Sequence, residues 1–214
     1  MSPRLALSSV SAALLGAPPR SVASGGFRTP PPADLRADGV PRGPLARRFP
    51  NVRLRTHDGR EVRFYDDLVR GKVVLVNFIY TNCDGICPAS TANLARLQRL
   101  LGDRLGRDVF MVSVCIDPER DTVESMKAYA GIYGARPGWT FATGSQRDVD
   151  LIRRELGVYN PNVAADRVRS NHTGMLIGVN EPTGRNINVP TALRVGLLED
   201  TVRRLAALPK LERL

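Results

Sequence analysis

Sulfur and imidazole side chains are scarce in this sequence of 214 residues, which contains three cysteines and two histidines. Three cysteines are too few for a disulfide scaffold, and no second cysteine pair is present to complete a closed tetrahedral zinc site. A packed core must therefore hold the fold together. With 43% hydrophobic residues, a chain of this length can bury the core of one globular domain and carry a tail in addition.

Aromatic residues are also few, at 6% of the chain, and no glycine-rich basic loop accompanies them. The sequence therefore offers neither a base-stacking platform nor an element that reads a groove, and we expect no nucleic-acid partner in spite of the net charge of +10. We interpret this charge as a solvated basic surface. The functional alternative is a surface that attracts an acidic protein face or anionic lipid.

Long apolar runs are absent from the N-terminal part of the chain. Residues 5–17 form an apolar segment of about 13 residues, whereas a membrane-spanning helix needs roughly 20. No transmembrane span is expected, although association with a membrane surface stays open. Arg4 before this segment, and small residues near Ala23, indicate a secretory signal over residues 1–23. An organellar transit peptide and a disordered leader are the alternatives.

Two further regions follow this leader. Residues 24–48 are rich in proline, arginine and glycine without apolar periodicity, which predicts a flexible linker. The folded domain is predicted over residues 49–210. A secreted protein of this kind would be periplasmic or otherwise extracytoplasmic, with the mitochondrial intermembrane space as the alternative location.

The pattern within the domain predicts strands that alternate with helices. Two short alternating runs, residues 51–56 and 61–64, around an Asp-Gly turn predict an early hairpin, and two more strands around residues 181–184 predict a late one. Continuous apolar runs predict buried strands over residues 73–80 and 109–116, and a short strand is predicted over residues 139–142.

Four helices are predicted from their caps and apolar spacing. The first follows Pro88, the second covers residues 123–133 with Asp121 or Thr122 as its cap, and the third runs through residue 156 from a capping box that begins at Ser145. The last has an apolar face formed by Leu198, Val202, Leu205 and Leu208. The fold class is therefore α/β, with a mixed sheet flanked by helices.

Cys83 and Cys87 lie where the first buried strand gives way to a helix that begins near Pro88. Three residues separate the thiols, so they can face each other across one helical turn. The partial positive charge of a helix N-terminus is expected to lower the pKa of both thiols and to favour thiolates. Thiolates attack disulfides and bind soft metals, so the pair indicates redox chemistry or metal binding. The structural alternative is two core cysteines that lie close together.

A metal held by two sulfurs needs a further ligand, and two histidines are available. His172 precedes an apolar strand and is the preferred candidate, whereas His57 is predicted to lie at an exposed turn and to be no ligand. Two thiolates and one imidazole suit Cu(I), and they can hold Cu(II) with an added ligand. Met175 is interpreted as a core residue rather than an axial ligand, and Cys115 is interpreted as core because it lies within the second buried strand.

Several segments together resemble the Sco/SenC family of copper chaperones for cytochrome c oxidase assembly. They are residues 56–68, the strand with its Cys83 and Cys87 motif, residues 113–122 and the late His172, in the family's order. The resemblance covers roughly residues 50–175. It implies a thioredoxin-like fold and implies Cys83, Cys87 and His172 as copper ligands. Where this chain has Cys115, the family usually has a small residue such as serine.

Two functions follow from the resemblance and the residues. The first is a metallochaperone that carries Cu(I) or Cu(II) to the binuclear copper site of a cytochrome c oxidase subunit, with a copper donor protein as a further partner. The alternative is an enzyme, a thiol-disulfide oxidoreductase that uses Cys83 and Cys87 to reduce the cysteines of that copper site. The oxidoreductase would not need His172. A peroxide-reducing relative and a redox sensor are weaker alternatives.

Overall fold

The structure is a computed structural model, and it describes residues 45–166, 168 and 174–207. Within these residues seven strands form one mixed sheet in the order β2-β1-β5-β4-β3-β6-β7. The strands are β1 (Arg53–Thr56), β2 (Glu61–Arg63), β3 (Val73–Ile79), β4 (Val109–Cys115), β5 (Trp139–Thr143), β6 (Met175–Asn180) and β7 (Arg185–Pro190). The helices are α1 (Ile86–Leu101), α2 (Val123–Ile132), α3 (Gln146–Glu155), α4 (Val163–Asp166) and α5 (Val195–Ala206). The predicted signal over 1–23 and most of the predicted linker lie outside the described residues.

Strand β3 lies near the middle of the sheet, and its pairing with β4 and β6 positions the loops at one edge of the sheet. It pairs in parallel with β4 from Val73↔Val109 to Ile79↔Cys115, and on its other side it pairs antiparallel with β6. The parallel strands β3 and β4 therefore end at the same edge of the sheet, and the antiparallel strand β6 begins there. This edge brings together the loops after β3 and β4 and the start of β6.

The alternation of side chains along β3 divides the core into two layers. Leu75 and Ile79 face α1, α2 and α5, in a cluster that also contains Leu94, Met126 and Leu198. Val74 and Val76 face the opposite side, where α3 packs together with residues near the start of the domain. The continuous apolar run of β3 is explained by this burial on both faces.

Both predicted hairpins are present. Strands β1 and β2 pair antiparallel around the Asp58-Gly59 turn, and β6 and β7 pair antiparallel around residues 181–184. Strand β2 ends at Arg63, one residue before the predicted end, because Phe64–Val69 form a π-helical turn whose apolar side chains are buried. The edge strands are β2, with three residues, and β7, whose side chains are exposed or half-buried.

The helix boundaries follow the sequence signals closely. Helix α1 begins at Ile86, so Pro88 lies in its first turn as predicted. The side chains of Thr122 and Ser145 cap α2 and α3 by accepting hydrogen bonds from the N–H groups of Ser125 and Asp148. Of the leucines and valines predicted to form the apolar face of α5, Leu198, Val202 and Leu205 are buried, and Leu208 lies outside the described residues.

The packed part of the chain begins upstream of residue 49. Leu45 and Ala46 are both 7% exposed and belong to the same core cluster as Phe49. The last residues of the predicted linker therefore pack against the domain. Among the helices of the described region, none is both long and apolar enough to cross a membrane.

Candidate metal centre

The cysteine loop, which comprises residues 80–85 between β3 and α1, carries the first candidate ligand. Cys83 lies in this loop and is half-buried, whereas Cys87 lies in the first turn of α1 and is 2% exposed. Both sulfurs belong to the core layer that lies between the sheet and α1. The loop therefore presents one accessible thiol in front of a buried one.

The two thiols differ in their electrostatic environment. Partial burial opposes ionisation of Cys83, but its sulfur accepts hydrogen bonds from Cys87 and from the N–H of Gly85, the latter at 3.4 Å, and these bonds lower the pKa of the Cys83 thiol. Burial, together with the hydrogen bond to Cys83, raises the pKa of Cys87 to about 12. The expectation that the helix N-terminus lowers both pKa values is thus confirmed for Cys83 and wrong for Cys87, where desolvation dominates.

Behind the cysteine loop lies a buried carboxylate that the sequence interpretation treated only as a candidate helix cap. Asp121 is 1% exposed. Its Oδ1 atom accepts hydrogen bonds from the backbone N–H of Thr81, at 2.9 Å, and from the Thr81 hydroxyl, at 2.6 Å. Its Oδ2 atom accepts one from the N–H of Asp117 at 3.3 Å. Burial raises the pKa of Asp121, and these three donors oppose the shift.

The start of β6 is tied to the helix that carries Cys87. Gly174 has a φ of +53°, and a Cβ at this position would lie 2.5 Å from Cδ1 of Ile86. The carbonyl of Gly174 accepts hydrogen bonds from the N–H and the hydroxyl of Thr191, at 2.8 and 2.6 Å. Thr191 in turn contacts α1, where its hydroxyl is 2.7 Å from that of Ser90. The chain therefore enters β6 directly beside the cysteine motif.

Gly174 anchors the chain downstream of His172, and an ion pair with α3 anchors it upstream. Arg153 has a side chain that is 3% exposed. Its guanidinium donates to both carboxylate oxygens of Asp166, at 2.8 and 2.6 Å, and to Asp150 at 3.2 Å. The N–H of Asn160 donates to Asp166 as well, at 3.1 Å. This bidentate ion pair fixes residues 160–166 against α3.

The predicted ligand His172 lies outside the described residues, between Asp166 and Gly174. His57 is described, and it is half-buried rather than fully exposed. Its Nδ1 atom accepts a hydrogen bond from the N–H of Phe141 at 3.2 Å, and its ring contacts the Phe141 ring edge to face. Over residues 45–166, 168 and 174–207, no three histidine, cysteine, aspartate or glutamate side chains lie together as a metal site.

The other residues considered for the site are placed as the sequence indicated. Cys115 is fully buried at the end of β4, and burial raises the pKa of its thiol well above the usual value. Met175 packs in the core layer opposite to the one that contains the two cysteines. Cys115 is therefore a core residue, and the half-buried Met175 packs against the core.

A mixed sheet flanked by helices is the architecture of the thioredoxin-like proteins, and this chain carries two cysteines where a central strand of that sheet meets a helix. The SCO1/SenC family model matches residues 47–189, which are 143 of the 214 residues of the chain. The chain belongs to the SCO1/SenC family.

Relatives of this family align with the central part of the chain. The SCO1 protein homolog of Bacillus subtilis is 35% identical over 99 residues, 45% of this chain and 50% of the relative. The mitochondrial SCO1 homolog 1 of Arabidopsis thaliana is 31% identical over 102 residues, 48% of this chain and 29% of the relative. The chain thus spans about half the length, or less, of these curated relatives.

Solved structures of relatives agree with the fold over a longer stretch. The crystal structure of Arabidopsis thaliana ScoI with copper bound is 25% identical, covers 72% of this chain and 94% of its own, and has a TM-score of 0.57. The structure of BsSco, described as a Sco family cytochrome c oxidase assembly protein with a disulfide switch, is 25% identical, covers 74% and 92%, and has a TM-score of 0.60.

Proposed function

We propose that this protein is a copper metallochaperone that binds copper through Cys83, Cys87 and His172 and delivers it to the binuclear copper site of cytochrome c oxidase during assembly. One observation carries the proposal: the chain that follows His172 enters β6 at Gly174, in contact with Ile86 inside the cysteine motif. Membership of the SCO1/SenC family and the copper-bound structure of a relative from Arabidopsis thaliana support it.

The position of Gly174 limits how far His172 can lie from the sulfurs. His172 and Gly174 are two positions apart in the chain, and an extended chain advances at most about 3.6 Å per residue, so their Cα atoms are at most about 7 Å apart. Ile86 directly precedes Cys87. This proximity supports the proposal that the imidazole of His172 reaches the dithiol.

The other histidine does not compete for this role. His57 follows β1, and β5 and β4 separate β1 from β3 in the sheet. Three interstrand spacings of about 4.8 Å make a lateral separation of about 14 Å from the strand that leads to the cysteines. The Nδ1 atom of His57 is also engaged with the backbone of Phe141.

The donor set favours copper over harder metals. Thiolate and imidazole ligands suit Cu(I), whereas zinc in a closed site takes four protein ligands. Within the described part of the chain, no carboxylate joins the two cysteines in a three-residue cluster. Copper is the cargo here, and its Cu(I) form requires no ligand beyond the three proposed.

Transfer to a partner by ligand exchange requires that an acceptor sulfur can reach the metal. Cys83 is partly exposed on a loop at the edge of the sheet, so an incoming ligand can displace it while the buried Cys87 still holds the ion. The partners are the copper-accepting subunit of cytochrome c oxidase and a copper donor protein. A net charge of +10 would speed docking to an acidic partner surface. The location is extracytoplasmic.

The test is an anaerobic titration of the reduced, full-length protein with Cu(I) in competition with a chromophoric chelator. We expect one tightly bound ion, loss of binding in Cys83→Ser and Cys87→Ser, and weaker binding in His172→Ala. The matched control His57→Ala should bind as the wild type does. Equal affinity in the wild type and His172→Ala would remove the histidine from the site, and unchanged binding in both serine variants would overturn the chaperone function.

One observation favours a second candidate, a thiol-disulfide oxidoreductase. The half-buried Cys83 precedes the buried Cys87, which is the arrangement of an attacking thiol and a resolving thiol. The Cys83 thiolate would attack a partner disulfide and release one partner thiolate; Cys87 would then attack the mixed disulfide, leaving a reduced partner and an oxidised Cys83–Cys87 pair. Turnover of a protein disulfide by metal-free protein, equal in the wild type and His172→Ala, would identify this activity.

A further inference from the structure

The cysteine loop is held from behind by a carboxylate that belongs to a different loop. Cys83 follows β3, and Asp121 follows β4, with the two strands parallel and adjacent. Their ends share one edge of the sheet, but the loops continue to different helices, α1 and α2. The Asp121 side chain joins the two loops through its two hydrogen bonds from Thr81, two residues before Cys83.

This connection is built at some energetic cost. A carboxylate that is 1% exposed loses most of its hydration, and a buried charge persists only where it is well hydrogen-bonded. The carboxylate of Asp121 accepts three hydrogen bonds, two from Thr81 and one from the N–H of Asp117. Each oxygen therefore binds a backbone N–H group, one from Thr81 in the cysteine loop and one from Asp117 in the loop after β4.

We infer that Asp121 is a positioning residue for the dithiol site, acting through Thr81 to hold the cysteine loop in the geometry that brings Cys83 beside Cys87. The inference rests on the proposed use of these cysteines for copper binding or thiol exchange. It assigns Asp121 no contact with copper. Its hydrogen bonds set where the loop leaves β3, and so they determine the separation of the two sulfurs.

The hydroxyl of Thr81 allows a test that leaves the buried carboxylate in place. Thr81→Val removes the 2.6 Å hydrogen bond to Asp121 but keeps the shape of the side chain, whereas Thr81→Ser keeps the hydrogen bond. Groups that orient metal ligands typically contribute 10- to 100-fold to affinity. We therefore expect Thr81→Val to weaken Cu(I) binding about tenfold, and Thr81→Ser to bind nearly as the wild type does.

A second measurement does not depend on copper. The equilibrium of the protein disulfide with two molecules of glutathione, which yields the dithiol and one glutathione disulfide, reports the geometry of the sulfur pair. We expect this equilibrium to shift in Thr81→Val and Asp121→Asn and to stay unchanged in Thr81→Ser. Thr122→Val is the matched control, because it removes the hydrogen bond that the Thr122 hydroxyl accepts from the N–H of Ser125 at the cap of α2 and leaves the hydrogen bonds between Thr81 and Asp121 in place.

The outcomes separate the inference from the proposed function. If Thr81→Val and Thr122→Val lower the unfolding temperature alike but both keep wild-type copper affinity and glutathione equilibrium, Asp121 is only structural and the inference is overturned. If the wild type binds no copper at its cysteines while the glutathione equilibrium still distinguishes Thr81→Val from Thr81→Ser, the chaperone function fails and the inference stands. Asp121→Asn that does not fold leaves the threonine pair to decide.

Discussion

The sulfur side and the histidine side of the proposed site are anchored in different ways. The cysteine loop is held by the buried carboxylate of Asp121, which accepts hydrogen bonds from neutral donors of Thr81 and Asp117; Thr81 lies two residues before Cys83. The chain that carries His172 is held at two points eight residues apart, the Arg153–Asp166 ion pair and the packing of Gly174 against Ile86. The sulfur side is thus held by hydrogen bonds to one carboxylate of a neighbouring loop, whereas the described residues on either side of His172 are held by an ion pair with α3 and by packing against α1.

The largest effect is expected from breaking the upstream anchor of the histidine side. Arg153→Met leaves the half-buried Asp166 carboxylate, whose side chain is 12% exposed, without its bidentate partner. Loss of one partner of a fully buried pair costs about 3–5 kcal/mol of unfolding free energy, which is the upper bound here. Urea unfolding measures this cost. The control Arg203→Met breaks an exposed ion pair with Asp200 and should change stability little. A cost at Arg153 no larger than the control's would contradict the assignment of an anchor.

The downstream anchor gives the next largest effect. Gly174→Ala forces a non-glycine residue to a φ of +53° and sets its Cβ against Ile86, so we expect a loss of about 1–3 kcal/mol and weaker Cu(I) binding. Gly134→Ala is the control, because Gly134 has a similar φ of +59° and open space around it. Equal losses at the two positions would show that backbone strain acts alone and that contact with Ile86 contributes nothing.

Replacement of the third cysteine tests whether the sulfur side consists of two thiols. Cys115 is fully buried in β4, so Cys115→Ala should cost about 1 kcal/mol through lost packing and leave Cu(I) stoichiometry and affinity unchanged. Thermal unfolding and the chelator titration measure the two quantities. A change in affinity without a change in stability would make Cys115 a participant in the site.

The pH dependence of the two thiols sharpens the comparison further, within the sulfur side. The lowered pKa of Cys83 means that its thiolate forms at lower pH, so iodoacetamide should modify Cys83 before Cys87 near neutral pH. Mass mapping of the modified peptides measures the order in which the two cysteines react, and faster modification of Cys87 would contradict it.

The pKa of Cys87 also affects folding stability. It is raised to about 12, so the contribution of Cys87 to folding stability is present below about pH 9 and is lost as the pH rises toward 12.

Much of the fold is predictable because its signals are local. The apolar run of β3, the Asp-Gly turn of the first hairpin and the capping residues Thr122 and Ser145 each predicted an element that the structure contains. The π-helical turn Phe64–Val69 was not predicted, because its first residue continues the alternation of β2. The packing of Leu45 and Ala46 was missed as well, since a proline-rich composition outweighed two apolar residues.

The sequence predicts candidate ligands for the site, whereas the contacts that support the cysteine loop were not predictable from it. The spacing of Cys83 and Cys87 is visible in the sequence, and the local charge of a helix N-terminus predicts the lowered pKa of Cys83. The raised pKa of Cys87 could not be predicted, because it depends on tertiary burial. Asp121 was missed as a partner of the cysteine loop for the same reason: residues 81 and 121 meet only through the pairing of β3 with β4.

The two edge strands of the sheet, β2 and β7, affect how a partner protein could bind. Strand β2 has three residues, and β7 carries exposed Arg185, Asn186 and Asn188 and terminates at Pro190, which has no N–H to donate. Short strands, polar side chains and proline all disfavour the addition of a foreign strand. Recognition by strand augmentation is therefore disfavoured along both edge strands, which agrees with the proposed approach of a partner at the rim of loops where the sulfurs lie.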